Sequence, residues 1–133
     1  MQMNVIMDKG RGNLIKIDLE SLTFVPKEVF TISGAPIGIA RGAHAHRKME
    51  QLLVLIQGEV EIRVKSAAGE LVENLIKPGE YIYLPPLSWG QQTYKTSNAI
   101  LQVFCSQAFD KSDYIENMLE LESEWKLSSG STL

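Results

Sequence analysis

One cysteine, Cys105, occurs in 133 residues, so no internal disulfide can form. Its neighbours Ile100-Leu101-Gln102-Val103-Phe104 read as a strand interior, which makes a structural thiol the expectation. No stretch approaches the ~18 apolar residues of a membrane helix, and no secretory leader opens the sequence, so a cytoplasmic protein without a membrane partner is expected. An excess of basic residues is missing too. The net charge of -3 lacks the field that nucleic acid requires, which excludes a nucleic-acid partner. Histidine is scarce as well: the two that occur stand at positions 44 and 46, and none follows.

What is present is β-periodicity broken by turns. Leu14 to Leu19 alternates apolar with polar after the turn cluster Asp8 to Asn13, giving a strand-turn-strand opening. Glu28 to Ser33, Leu52 to Ile56, Val60 to Lys65, Leu71 to Ile76, Tyr81 to Leu84, Trp89 to Tyr94 and Ala99 to Ser106 follow as strands, with Gly58, Gly69 and Gly79 marking turns. Strands recurring about every ten residues predict an all-β sandwich or barrel. Only the end reads as helical, capped by Asp110 or Ser112, with Tyr114, Ile115, Met118 and Leu119 on one stripe and Trp125 as its docking anchor. A single domain over residues 1–127 and a flexible tail over 128–133 are expected, and a chain of this length buries roughly two thirds of its unfolded surface.

The chemistry concentrates in Arg41-Gly42-Ala43-His44-Ala45-His46-Arg47-Lys48-Met49-Glu50-Gln51. In an extended segment His44 and His46 share a face roughly 7 Å apart. Two imidazoles beside a guanidinium could hold a metal or move protons on an anionic substrate. The Arg47-Lys48 pair reads as solvated surface.

The sequence resembles the cupin superfamily in His44, His46, Gly58, Gly79 and Pro85, which implies a double-stranded β-helix jelly-roll barrel with a short C-terminal helix. The resemblance breaks at the metal ligands. Gln51, a neutral amide, takes the usual acidic position, and Leu87, Ser88 and Gly90 occupy the stretch of the last histidine; no metal is expected, because a stable site needs three or four good ligands. A narrower resemblance rests on the 41–51 segment with Tyr83-Leu84-Pro85-Pro86-Leu87-Ser88-Trp89 and Phe109-Asp110-Lys111-Ser112-Asp113-Tyr114-Ile115. Together these resemble the sugar-nucleotide 3,4-ketoisomerase family of metal-free cupins, and Arg11-Gly12-Asn13-Leu14 is similar to the family's opening strand.

That resemblance implies an isomerase acting on dTDP-4-keto-6-deoxyglucose in deoxysugar biosynthesis, without a cofactor and as a homodimer. It implies His44 and His46 as acid-base residues, an unperturbed histidine titrating near ~6.5. A pH–rate profile without a step between about pH 5 and 8 would weigh against them. Arg41 is the candidate for offsetting enediolate or diphosphate charge, Gln51 for an uncharged hydrogen bond, Arg11 for phosphate, and Trp89 and Gly90 for the sugar pocket. Gly90 departs from the histidine or arginine common at its position, leaving room for a water and the C4 stereochemistry open. Phe30 stands in a strand that is tyrosine-rich in the family. Two other functions compete: a metal-dependent oxygenase using His44, His46 and Glu50, and a non-catalytic sugar-nucleotide binder.

Overall fold

The computed structural model describes residues 2–8 and 10–130. Its strands are β1 (Gln2–Asp8), β2 (Gly12–Asp18), β3 (Glu28–Ser33), β4 (Ala40–His46), β5 (Gln51–Gln57), β6 (Val60–Ser66), β7 (Gly69–Leu75), β8 (Tyr81–Leu84), β9 (Trp89–Tyr94), β10 (Ile100–Cys105) and β11 (Tyr114–Ile115); one helix, α1 (Met118–Gly130), follows. The opening hairpin β1–β2 is a sheet of its own. A four-stranded sheet runs in the order β3-β10-β5-β8 and a five-stranded one β11-β4-β9-β6-β7. Every pairing within them is antiparallel.

Alternation decides what faces inward. Leu53 and Leu55 on β5, Val60 and Ile62 on β6, Leu101 and Val103 on β10 and Tyr94 on β9 join one core between the two large sheets. Leu52, Val54 and Phe104 point the other way, where Met3, Ile17, Leu22 and Phe24 cover them. With two antiparallel sheets face to face around one core, the molecule is the expected all-β cupin jelly roll with a C-terminal helix.

The end of the chain differs from its expected form. Asp110 caps only a single turn of 3-10 helix over Lys111–Asp113, and Tyr114 and Ile115 then pair with His46 and Ala45 as β11. The true cap is Asn117, whose side-chain oxygen accepts from Leu119 N at 2.8 Å and Glu120 N at 3.3 Å. The buried stripe of α1 is Met118, Leu121 and Trp125, while Leu119 is exposed. Trp125 docks as expected, its Nε1 donating to the Leu87 carbonyl at 2.7 Å. Helix continues to Gly130, three residues past the expected domain boundary at 127, because no breaker precedes that glycine; residues 131–133 of the expected tail lie outside the described residues. Arg47, read as solvated, instead clamps α1, its guanidinium donating to Glu124 at 2.7 Å and also to Glu120. No helix among the described residues is long and apolar enough to cross a membrane.

Candidate active site

Strand β4 carries the site, and a bulge sets its phase. Arg41 pairs with Gln92 and His44 with Gly90, so Gly42 and Ala43 together stand opposite Gln91. Arg41 and His44 are three positions apart and would face opposite ways in a regular strand. The extra residue puts them on one face, and φ values of 91° at Gly42 and 45° at Ala43 make the insertion possible.

The imidazoles lean together. His44 Nε2 and His46 Nε2 are 3.2 Å apart and the ring centroids 4.9 Å, closer than backbone spacing alone implies. His44 Nδ1 donates to the Gly42 carbonyl at 2.5 Å. Tyr114 stacks on His44 with centroids 4.4 Å apart and planes 9° from parallel, and meets His46 edge-on.

Behind His46 lies Asp113, 6% exposed. Its carboxylate accepts Lys48 N at 2.9 Å and Met49 N at 3.1 Å. Its Oδ2 stands 3.5 Å from His46 Nδ1. That separation counts as an ion-pair contact yet lacks hydrogen-bond geometry, leaving the buried Nδ1 without a hydrogen-bond partner. Distance favours the second description: the carboxylate acts on His46 through its charge. Burial, and next the neighbouring His44, lower the His46 pKa from 6.5 to about 4, with Asp113 pulling the opposite way.

A cavity of about 300 Å³ or less is modest for a sugar nucleotide, and the one at the barrel mouth measures about 230 Å³. Both histidines, Met49 and Gln51 form its floor, with Phe30, Phe109, Tyr114 and Glu28 on its walls. Behind the pair, Gln51, Ser88 and Gly90 enclose a space of about 10 Å³, about the size of one water. A wider hollow of about 450 Å³ beside Trp125 has no titratable side chain in its lining, and another of about 300 Å³ beside Glu70 and Tyr83 holds neither histidine; both imidazoles open into the barrel mouth.

Of the residues singled out in the sequence, His44, His46, Gln51 and Gly90 meet in one place. Arg41 sits on the same face of β4 but exposed, its charge easing the pKa of Tyr94, which burial raises to about 12. Trp89, beside inward Gly90, packs on the cluster of Ala45, Ile115 and Leu121 and lines neither histidine cavity. Arg11 lies exposed in the β1–β2 turn and lines neither histidine cavity. Sequence reasoning gave Glu28 no place in the site, nor Phe109, Asp113 and Tyr114, although those three lie in a block that carries the family resemblance. Glu28 is fixed at the mouth by accepting Phe109 N at 3.1 Å.

The donor set does not make a closed metal site. Glu50, the carboxylate a metal-dependent reading needs, is engaged by the Tyr83 hydroxyl at 2.6 Å, and no group of three His, Cys, Asp or Glu side chains converges among the described residues.

Comparison with known proteins fits this geometry. The chain is 29% identical over 109 residues to the TDP-4-oxo-6-deoxy-alpha-D-glucose-3,4-oxoisomerase of Aneurinibacillus thermoaerophilus, covering 80% of this chain and 77% of that one. The sugar 3,4-ketoisomerase QdtA of Thermoanaerobacterium thermosaccharolyticum, solved with TDP, superposes with a TM-score of 0.86 at 32% identity, over 95% of this chain and 92% of that one. The TDP-quinovose 3,4-ketoisomerase WlaRB of Campylobacter jejuni gives 0.79 at 27%, over 90% and 95%. The family model described as "FdtA: WxcM-like, C-terminal" matches residues 1–126, and the chain belongs to that family.

Proposed function

We propose that this chain is a sugar-nucleotide isomerase that moves the ketone of dTDP-4-keto-6-deoxyglucose from C4 to C3 in deoxysugar biosynthesis. The observation that carries the reading is the His44–His46 pair, its Nε2 atoms 3.2 Å apart at the floor of an aromatic-walled cavity. Its family relatives named above act on TDP-linked sugars.

The C3 hydrogen is acidic because it lies alpha to the C4 ketone. A neutral imidazole of the pair removes it, and the electrons of the broken C–H bond run into the C4 carbonyl to give an enediolate. The same proton, now on the pair, is returned to C4 while the O3 hydroxyl proton passes to O4. The ketone ends at C3 and atoms balance without a cofactor. Tyr114 and Phe109 give the pair an apolar wall, and Gln51 is an uncharged hydrogen-bond partner whose Nε2 lies 3.7 Å from Cys105 Sγ. Arg41 supplies positive charge on the same strand face for the enediolate or the diphosphate.

Incubating the protein with dTDP-4-keto-6-deoxyglucose in deuterated water and following the sugar protons by NMR tests this. The expected result is loss of the C3 proton signal and growth of a C4 proton or deuteron. Bound TDP with an unchanged C3 proton sinks the isomerase and leaves a non-catalytic binder.

The pH dependence differs from that of an ordinary histidine. His46 stays neutral to about pH 4, so with His46 as the base the acid limb of kcat/KM lies near there, and a flat profile between pH 5 and 8 does not count against it. Unfolded chain takes up the His46 proton near 6.5, the folded chain only near 4. Stability present in full above 6.5 is therefore lost as pH falls through that window, on the order of 3 kcal/mol. Melting curves recorded from pH 7.5 down to 4 check this, and a constant Tm contradicts it.

A homodimer also belongs to this reading. Edge strand β3 exposes Val29 and Phe30, and Ile37 and Ile39 lie exposed just beyond it; a second copy would cover them. A nucleotide-sugar substrate and the buried, unpaired Cys105 support a cytoplasmic location.

A further inference from the structure

Three gaps in a row can each hold one proton. They run from the Gly42 carbonyl to His44 Nδ1 at 2.5 Å and from His44 Nε2 to His46 Nε2 at 3.2 Å, both hydrogen bonds, and from His46 Nδ1 to Asp113 Oδ2 at 3.5 Å, an ion-pair contact in which the Nδ1 proton faces the carboxylate. A carbonyl and a carboxylate can only accept, so the two ends of the chain donate nothing. Two neutral imidazoles carry two protons and leave one gap empty, with two lone pairs facing each other. A third proton fills every gap.

Which gap is empty at rest decides whether the pair can act as a base. A proton on His46 Nε2 would occupy the middle gap and close the site to another. A proton on Nδ1 faces the Asp113 carboxylate and leaves both Nε2 atoms bare. Asp113 is built to hold that second state: it is buried, and Lys48 N and Met49 N fix its oxygens so that the charge stays aimed at His46. Glu28, Cys105 and Tyr114 also line the chamber, but the charges acting on His46 come from His44 and Asp113.

We propose that Asp113 is a positioning residue that keeps His46 protonated at Nδ1, so that the two histidines take up a single substrate proton between their Nε2 atoms. The C3 proton completes the three-proton chain and makes the pair one imidazolium. Its return to C4 empties the middle gap again. Asp113 touches no substrate and acts through His46. The reaction is taken from the isomerase reading above; the proton arrangement rests on the geometry alone.

The test is Asp113→Asn, with ¹⁵N NMR of the imidazoles beside kinetics. Asparagine keeps an oxygen for Lys48 N, while the amide nitrogen in the Oδ2 place gives up the bond from Met49 N and turns an N–H donor toward His46 Nδ1. The expected result is a switch of His46 from the Nδ1–H to the Nε2–H tautomer and a fall in kcat of at least about 30-fold, with KM and TDP affinity within about threefold. Ser106→Ala is the structural control. The Ser106 hydroxyl accepts Glu50 N at 2.8 Å in the same loop and does not line the histidine cavity, so its loss leaves kcat within about threefold. Three outcomes overturn the proposal: Nε2–H in the wild-type protein, an unchanged tautomer in the variant, or a kcat loss in Asp113→Asn no larger than in Ser106→Ala. The wild-type tautomer is read without any variant having to fold. It also stands apart from the reaction: a wild type that does not turn over the keto sugar removes the isomerase, and the tautomer still decides what Asp113 does.

Discussion

Replacing His46 with asparagine lowers kcat by about three orders of magnitude while TDP affinity stays within about twofold. General acid–base groups contribute roughly 10²- to 10⁴-fold, and here one substitution removes half of a coupled pair. His44 keeps its Nδ1 bond to the Gly42 carbonyl, so its orientation survives. What is lost is the second Nε2 at 3.2 Å with which it would share the transferred proton. A thousandfold loss corresponds to about 4 kcal/mol of barrier. Single-turnover kinetics with the keto sugar, alongside calorimetric titration with TDP, separate the chemical step from binding. A variant within about tenfold of wild type would mean that the pair does not move the proton. A second readout is independent of turnover. Asparagine does not titrate, so the loss of stability between pH 6.5 and 4 that His46 brings disappears from the melting curves.

How far the sequence could be read depended on the range over which each feature is determined. Strands such as Val60-Glu61-Ile62-Arg63-Val64 declare themselves because alternation and the glycines at the turns are local. Each imidazole is visible for the same reason. Phase is less local. From Gly90 inward, alternation already sends Trp89 outward, so its place against the Ala45, Ile115 and Leu121 cluster was available from parity once Gly90 was placed. Arg41 required the bulge, and period two alone puts it opposite His44. Asp113 was beyond reach. It meets Lys48 and Met49 across 65 and 64 positions of sequence, and an aspartate after Asp110-Lys111-Ser112 looks like any residue of a capped helix start. Two-residue β11 carries no periodicity at all, so Tyr114 and Ile115 were drawn into the helical stripe that begins only at Met118.

Gly42→Val is expected to lower both activity and stability, because it attacks the bulge itself. Gly42 has φ 91°, a conformation in which a β-branched residue is a strong outlier, and a Cβ there would lie 3.1 Å from the Gly90 carbonyl oxygen. Strain of this kind costs about 1–3 kcal/mol, and the neighbour that must give way is backbone rather than a flexible side chain. The cheapest relief is to shift the β4–β9 register and remove the extra residue. Regular pairing then returns Arg41 and His44 to opposite faces. It also displaces the Gly42 carbonyl that fixes His44 Nδ1. Activity therefore falls by about 100-fold or more even at temperatures where the variant is fully folded, and Tm drops by several degrees. Assays at 10 °C together with thermal melts distinguish the two effects. Full activity in a folded, destabilised variant would show that the phase of Arg41 and His44 does not matter to the reaction, and a Tm equal to wild type would show that the bulge is not strained by a side chain.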